Sequence, residues 1–216
     1  MTGLFVTGTD TGVGKTWVTA ALLRALAAAG HRCVGMKPVL TGVDPDDDAA
    51  MLLAAGNVDV PRSLANPYRF SPAIAPHVAA REAGVEMELG TITSAFEQLS
   101  QVAEVVIVEG AGGPLVPLND RQDMLDIAKA LRLPVLLVVG VRLGCINHAQ
   151  LCALAIRARG LVLAGWVANG VDPAMSHAAA SIATLERMLA APRIATFAWQ
   201  ERQWPEGADY RSLVAM

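Results

Sequence analysis

The chain has 216 residues, 53% hydrophobic and 17% charged, with 17 basic and 20 acidic residues for a net charge of -3 at pH 7. That much apolar content excludes intrinsic disorder, and an acidic balance with no like-charge run longer than Asp46-Asp47-Asp48 argues against a nucleic-acid partner. The length suits one α/β domain over residues 1–216, with a core large enough to do without disulfides. Cys33, Cys145 and Cys152 form no Cys-x-x-Cys pair and read as small core residues. Met1-Thr2-Gly3 runs straight into Leu4-Phe5-Val6 without a basic stretch, and no apolar run is long enough to span a bilayer. The expectation is a cytoplasmic protein with no membrane partner.

In chain order, apolar runs fall at Leu4 to Thr7, Cys33 to Lys37, Val105 to Glu109, Val135 to Val139, Leu161 to Asn169 and Ile194 to Phe197. Continuous apolar runs are what strands buried on both faces look like, the signature of a parallel sheet. Between them, helical periodicity covers Thr16 to Ala29, Asp48 to Ala55, Thr91 to Val102, Asp123 to Leu131, Asn147 to Arg159 and Met175 to Leu189. Strand and helix alternate, which predicts a doubly wound, mostly parallel α/β sheet with helices on both faces. Pro38 to Pro45, Val60 to Pro76, Gly110 to Asp120 and the tail after Trp199 read as irregular. Ligands of such sheets sit at the carboxyl ends of strands, so the first and third of these loops are where chemistry is expected. Val60 to Pro76, with four prolines, reads either as a substrate-side lid or as plain surface.

The first strand leads into Gly8-Thr9-Asp10-Thr11-Gly12-Val13-Gly14-Lys15-Thr16. Glycines let backbone N–H groups turn toward an anion, and a helix N-terminus adds its positive dipole end. Lys15 then reaches outer phosphates, and Thr16 offers a hydroxyl to Mg²⁺. The standard spacing would place glycine where Thr9 stands, so this is a variant phosphate loop, and a nucleoside triphosphate is the expected ligand.

The variant resembles the dethiobiotin synthetase family. Four further segments agree with that family: Gly35-Met36-Lys37-Pro38-Val39 with Thr41-Gly42, Val108-Glu109-Gly110-Ala111-Gly112-Gly113, Val138 to His148, and Ala164 to Asn169. The resemblance implies a P-loop NTPase fold and an ATP-dependent ligase of biotin biosynthesis. Its reaction closes a cyclic urea from 7,8-diaminopelargonate and CO₂ through a carbamate and a carbamic-phosphoric anhydride. It further implies a homodimer with shared sites, and ATP with Mg²⁺.

Carried over residue by residue, the resemblance puts catalysis on Lys15 and Lys37. It puts nucleotide contacts on Gly12-Val13-Gly14-Lys15-Thr16-Trp17, Glu109-Gly110-Ala111-Gly112, Asn169-Gly170 and Ala198-Trp199. Mg²⁺ falls to Thr16, Asp48 and Glu109, and the diamino acid to Lys37, Thr41 and Gly144-Cys145-Ile146-Asn147. Position supports several of these. Lys37 and Glu109 each end an apolar strand on the phosphate-loop side, although a solvated lysine and a strand-end charge are the plain alternatives. Among Asp46, Asp47 and Asp48 any one can instead be a helix N-cap. Asn169 can pair with both N6 and N7 of adenine, or it can be part of an ordinary Asn-Gly turn. Gly144 to Asn147 open a helix, with N–H groups expected to be free and Asn147 as the alternative cap. Ala198 stands where the family usually has proline.

Trp166 and Trp199 read as packing residues, and none of the four histidines receives a catalytic role. Two other classes of nucleotide-binding protein fit the sequence less well. Septum-site and plasmid-partition ATPases typically carry a second lysine in the loop, which Thr9-Asp10-Thr11 lacks. Amidoligases of the cobyrinic-acid type need a glutaminase domain, for which the chain has no room.

Overall fold

A computed structural model describes residues 2–44, 47–210 and Leu213. The chain runs β1 (Thr2–Gly8), α1 (Lys15–Ala28), β2 (Cys33–Met36), β3 (Val39–Thr41), α2 (Asp48–Ala55), α3 (Arg62–Ala65), β4 (Tyr68–Phe70), α4 (Pro76–Glu82) and α5 (Leu89–Val102). It continues with β5 (Val105–Glu109), α6 (Met124–Ala130), β6 (Val135–Val141), α7 (Cys145–Ala158), β7 (Leu163–Gly170), α8 (Ala178–Met188) and β8 (Arg193–Phe197). Six strands form one sheet in the order β2-β5-β1-β6-β7-β8, every pairing parallel.

Side chains alternate across a strand, so an unbroken apolar run feeds both faces. Leu4, Val6, Ile107, Leu136 and Val138 pack with α1, α2 and Leu213 on one face. Phe5, Val106, Val108, Leu137 and Val139 pack with α5 to α8 on the other. All three cysteines are buried and free, and Trp166 lies in the core. Trp199 is half exposed, which corrects its reading as a packing residue: the chain turns out of the sheet after Phe197 and leaves the indole at the surface.

Two expectations of irregular chain are corrected. Pro38 to Pro45 contains β3, which pairs in parallel with β4 inside the Val60 to Pro76 stretch, and that stretch also contains α3. No helix among the described residues is long and apolar enough to cross a membrane.

β1 has β5 on one side and β6 on the other, and the chain goes from β1 toward β2, then crosses back over β1 between β5 and β6. The crevice at such a reversal opens at the carboxyl ends of β1, β5 and β6.

Candidate active site

The loop after β1 is shaped by Gly12 (φ 74) and Gly14 (φ 83), both left-handed, a conformation L side chains rarely adopt. A side chain on Gly14 would also collide with the amide of Asn169. Gly14 caps α1, and the first helical bond is Val18 N–H to the Gly14 carbonyl at 3.1 Å. The amides of Lys15, Thr16 and Trp17 precede that bond and are presented to an anion. Lys15 Nζ folds back and donates to the Asp10 carbonyl at 2.9 Å. Burial, helped by the charge of Lys37, lowers its pKa to about 8 against the opposing pull of nearby carboxylates.

Lys37 follows β2 and reaches across the end of β5. Its Nζ lies 2.6 Å from Glu109 Oε1 and 2.8 Å from Asp48 Oδ2, and donates to the Gly110 carbonyl at 3.3 Å. Burial works against the Lys37 ammonium, but Glu109 and Asp48 outweigh it and hold its pKa above the ordinary lysine value. Burial likewise opposes the Asp48 charge, yet the Lys37 ammonium, with Thr16, keeps the carboxyl below its usual range.

Thr16 Oγ1 is 2.8 Å from Asp48 Oδ1 and 2.9 Å from Glu109 Oε1. A hydroxyl has one proton and can donate to only one of them. Glu109 Oε2 is buried without a partner. Two carboxylates and a hydroxyl, all hard oxygen donors and one acceptor unsatisfied, fit a Mg²⁺ ion that draws its other ligands from phosphates and water. No group of three or more His, Cys, Asp or Glu is gathered among the described residues, so a protein-only cage is not built here.

Of the three adjacent acids, Asp48 points into this cluster. Asp47 turns away: it caps α2 by accepting from Ala50 N–H at 3.1 Å and pairs with Arg62 at 2.5 Å. Asp46 lies outside the described residues. A cleft of about 660 Å³ opens beside the cluster, lined by Thr11, Gly12, Gly14, Lys15, Thr16, Trp17, Lys37, Thr41, Asp48, Ala111 and Gly112. Ala73 to Pro76 form another part of its wall, so the end of the Val60 to Pro76 stretch faces the cleft while its earlier part packs as α3 and β4.

Asn169, Gly170, Ala198 and Trp199 do not line that cleft. Asn169 Nδ2 donates to the Val13 carbonyl at 2.8 Å, so one amide proton is committed to holding the phosphate loop. Gly170 lies against the backbone of Phe197 and Trp199, which a side chain would meet at 3.2 Å, with Ala198 at 3.4 Å. Gly144 to Asn147 also lie apart from the cleft of their own chain.

The expectations for that segment need two corrections. α7 opens at Cys145 with Gly144 (φ 92) as its cap, because glycine accepts the left-handed turn, and Asn147 sits inside the first turn. The Cys145 N–H is not free but donates to the Arg142 carbonyl at 3.0 Å. The amides of Ile146 and Asn147 remain ahead of the first i→i−4 bond, from His148 to Gly144.

Sequence reasoning missed three residues around the site. Arg62 pairs with Asp47, Asn66 Nδ2 donates to the Lys37 carbonyl, and Arg202 stacks its guanidinium 3.9 Å from the centre of the Trp17 ring. Nothing local in a proline-rich stretch or a polar tail marks them.

A parallel α/β sheet with a glycine-bent anion loop, a loop lysine and a hydroxyl beside paired acids defines a P-loop nucleotide-binding protein. A family model described as an AAA domain matches residues 2–205. The chain is 50% identical over 214 residues to the ATP-dependent dethiobiotin synthetase BioD of Nitrosospira multiformis, covering 98% of this chain and 94% of that one. The chain belongs to the dethiobiotin synthetase family.

Solved structures show the same fold at low identity. The MinC:MinD cell division complex of Aquifex aeolicus matches with a TM-score of 0.60 at 16% identity, over 91% of this chain and 81% of that chain. A ParA family ATPase from Chlorobium tepidum gives 0.57 at 14% identity, over 90% and 82%. The signal recognition particle 54 kDa protein of Aeropyrum pernix gives 0.57 at 19%, over 94% of this chain and 43% of that chain.

Proposed function

We propose that this chain is the ATP-dependent ligase that turns 7,8-diaminopelargonate and CO₂ into dethiobiotin, with ATP becoming ADP and phosphate, in the cytoplasm. The observation that carries the reading is the convergence of Lys37 with Thr16, Asp48 and Glu109 at the mouth of the phosphate loop.

In the first step one substrate amine adds to CO₂ and loses a proton, giving a carbamate. A carbamate oxygen then takes the γ-phosphoryl group, and ADP leaves. The second amine attacks the carbonyl carbon of the mixed anhydride, phosphate departs, and the urea ring closes. The middle step sets an anion against an anion: two unit charges about 4 Å apart repel by about 4 kcal/mol at an effective dielectric near 20. Positioning and charge neutralisation carry most of such a transfer.

Lys15 and the amides of Gly12 to Trp17 bind the outer phosphates. Lys37, at the end of β2, holds the carbamate against the γ-phosphate. Thr16, Asp48 and Glu109 would hold Mg²⁺, which when bound neutralises charge developing on the phosphate oxygens. Thr41, on the cleft wall, offers a hydroxyl to the substrate amines. Asn169-Gly170 and Ala198-Trp199 form the base side of the nucleotide site.

The substrate tail ends in a carboxylate far from its amines. The amides of Ile146 and Asn147, which precede the first helical bond of α7, suit that group, and since they lie apart from the cleft of their own chain, the partner of a homodimer supplies them. The deciding experiment incubates the protein with diaminopelargonate, bicarbonate, Mg²⁺ and ATP. Dethiobiotin by mass, with ADP in equal amount, is expected; ADP release that does not depend on the diamino acid would refute the reading.

A further inference from the structure

Lys37 and Asp48 meet in the cleft, but the residues that bring them there lie behind it. Both backbone groups of Lys37 are held by the end of α3. Its N–H donates to the Ala65 carbonyl at 2.8 Å, and its carbonyl accepts from Asn66 Nδ2 at 2.7 Å. Asn66 is buried and uses the same amide nitrogen on the Tyr68 carbonyl at 3.0 Å. The start of α3 holds the other partner. Arg62 Nη2 lies 2.5 Å from both carboxylate oxygens of Asp47, whose side chain is 1% exposed. Asp47 in turn caps α2, one residue before Asp48.

We infer that Arg62 to Asn66 form a bracket that sets the distance between Lys37 and Asp48, making Arg62, Asp47 and Asn66 positioning residues of the reaction. None of the three lines the cleft. The geometry explains why a short helix bounded by Pro61 and Pro67 is worth building here: one end fixes the lysine, the other fixes the helix start that aims the acid. A buried carboxylate is costly to keep unless its partners are well held; Asp47 has Arg62 on both its oxygens and the more distant Arg69 at 3.7 Å, where the helix cap alone would give one contact. The inference rests on the proposed roles of Lys37 and Asp48.

The test uses Asp47→Asn, Arg62→Ala, Arg62→Lys and the Asp47→Asn/Arg62→Ala double variant. Asparagine caps a helix about as well as aspartate, so Asp47→Asn removes the charge pair and spares the cap. Both single charge-removing variants should lower kcat by about tenfold or more while KM for ATP stays within about twofold, since misplacement acts on the reacting groups. The double variant should be no worse than either single one, and Arg62→Lys should recover part of the rate.

A second readout needs neither metal nor turnover. Lys15, Lys37 and Lys129 are the only lysines of the sequence, so mass spectrometry separates their acetylation by acetic anhydride. With Asp48 loosened, Lys37 in the ligand-free protein should label several-fold faster relative to Lys129. Arg193→Ala, which breaks a distant surface pair with Glu186, should leave that ratio unchanged. Normal kcat and normal Lys37 labelling in folded Asp47→Asn and Arg62→Ala proteins would overturn the bracket. Lys37→Gln and Asp48→Asn proteins that turned over normally would instead overturn the functional reading beneath it.

Discussion

Glu109 is fully buried and Lys37 is 3% exposed, with 2.6 Å between their charged atoms, so replacing either tests whether this pair also holds the fold. Breaking a buried pair by removing one partner costs about 3–5 kcal/mol, because the other charge is left uncompensated. In Glu109→Gln the Lys37 ammonium keeps Asp48 at 2.8 Å, but that side chain is 40% exposed and its field is screened by water. The expected loss is therefore at the lower end, about 3 kcal/mol. For a chain of this length each kcal/mol moves Tm by about 2–4 °C, so the variant should melt about 6–12 °C below the parent.

Lys37→Gln should be worse, about 5 kcal/mol, since it leaves the fully buried Glu109 charge without its ammonium, with the one Thr16 proton shared with Asp48 and Oε2 already without a partner. The Lys37→Gln/Glu109→Gln double variant removes both charges and should lose clearly less than the sum, with a coupling of about 2 kcal/mol or more. Urea unfolding followed by circular dichroism in Mg²⁺-free buffer reads all four proteins. Single variants within about 0.5 kcal/mol of the parent, or strict additivity in the double, would refute the reasoning. The double variant should stay inactive while regaining stability, which separates the two roles.

Three other outcomes follow from the site. Lys15 has its pKa lowered to about 8 in the free protein, and only its ammonium form pairs with phosphate, so nucleotide affinity should be full below pH 8 and fall about tenfold per unit above it, with proton uptake on binding in calorimetry; a flat affinity from pH 7 to 9.5 would contradict this. Asn169→Ala removes the bond to the Val13 carbonyl and should weaken nucleotide binding by about 1 kcal/mol with kcat largely kept, measured as KM for ATP. Mixing Lys37→Gln chains with Ile146→Pro chains should restore activity, because one site of each mixed dimer has both halves intact; verified heterodimers with no recovery would end the shared-site proposal.

The six strands of the main sheet were legible because each is an apolar run buried on both faces, and their ends fall within two residues of the sequence reading. β3, β4, α3 and α4 were not, for a physical reason: elements of three to seven residues are too short to show a period. The site divides in the same way. Lys37 and Glu109 were legible because a charge that ends an apolar strand has few places to go. Asp47 and Asp48 were ambiguous because neighbours at a helix start diverge by about 100°, and only the fold shows which of the two directions faces Lys37. Arg62 and Asn66 were illegible because they act on a backbone carbonyl, a backbone-held lysine and a helix cap, partners that carry no sequence signature. The start of α7 was misread since Asn147 looks like a cap; Gly144 took the position by adopting φ 92.

The two lysines of the site are buried to a similar degree and yet titrate in opposite directions, which argues for a division of labour. Lys15 has a carbonyl as its hydrogen-bond partner, and a carbonyl does not offset the loss of water, so its charge is weakly held until an anion arrives. Lys37 has two carboxylates within 2.8 Å, which keep its ammonium form through any working pH. Counted together, two ammonium groups and two carboxylates leave the ligand-free site close to neutral. A buried site in that balance tolerates its charges without unfolding, and the phosphates of a nucleotide upset it by adding negative charge. In the proposed reaction a further cation at the oxygens of Thr16, Asp48 and Glu109 would restore the balance, and the Lys37 ammonium, already charged and already placed, would then be left for the anionic reactants.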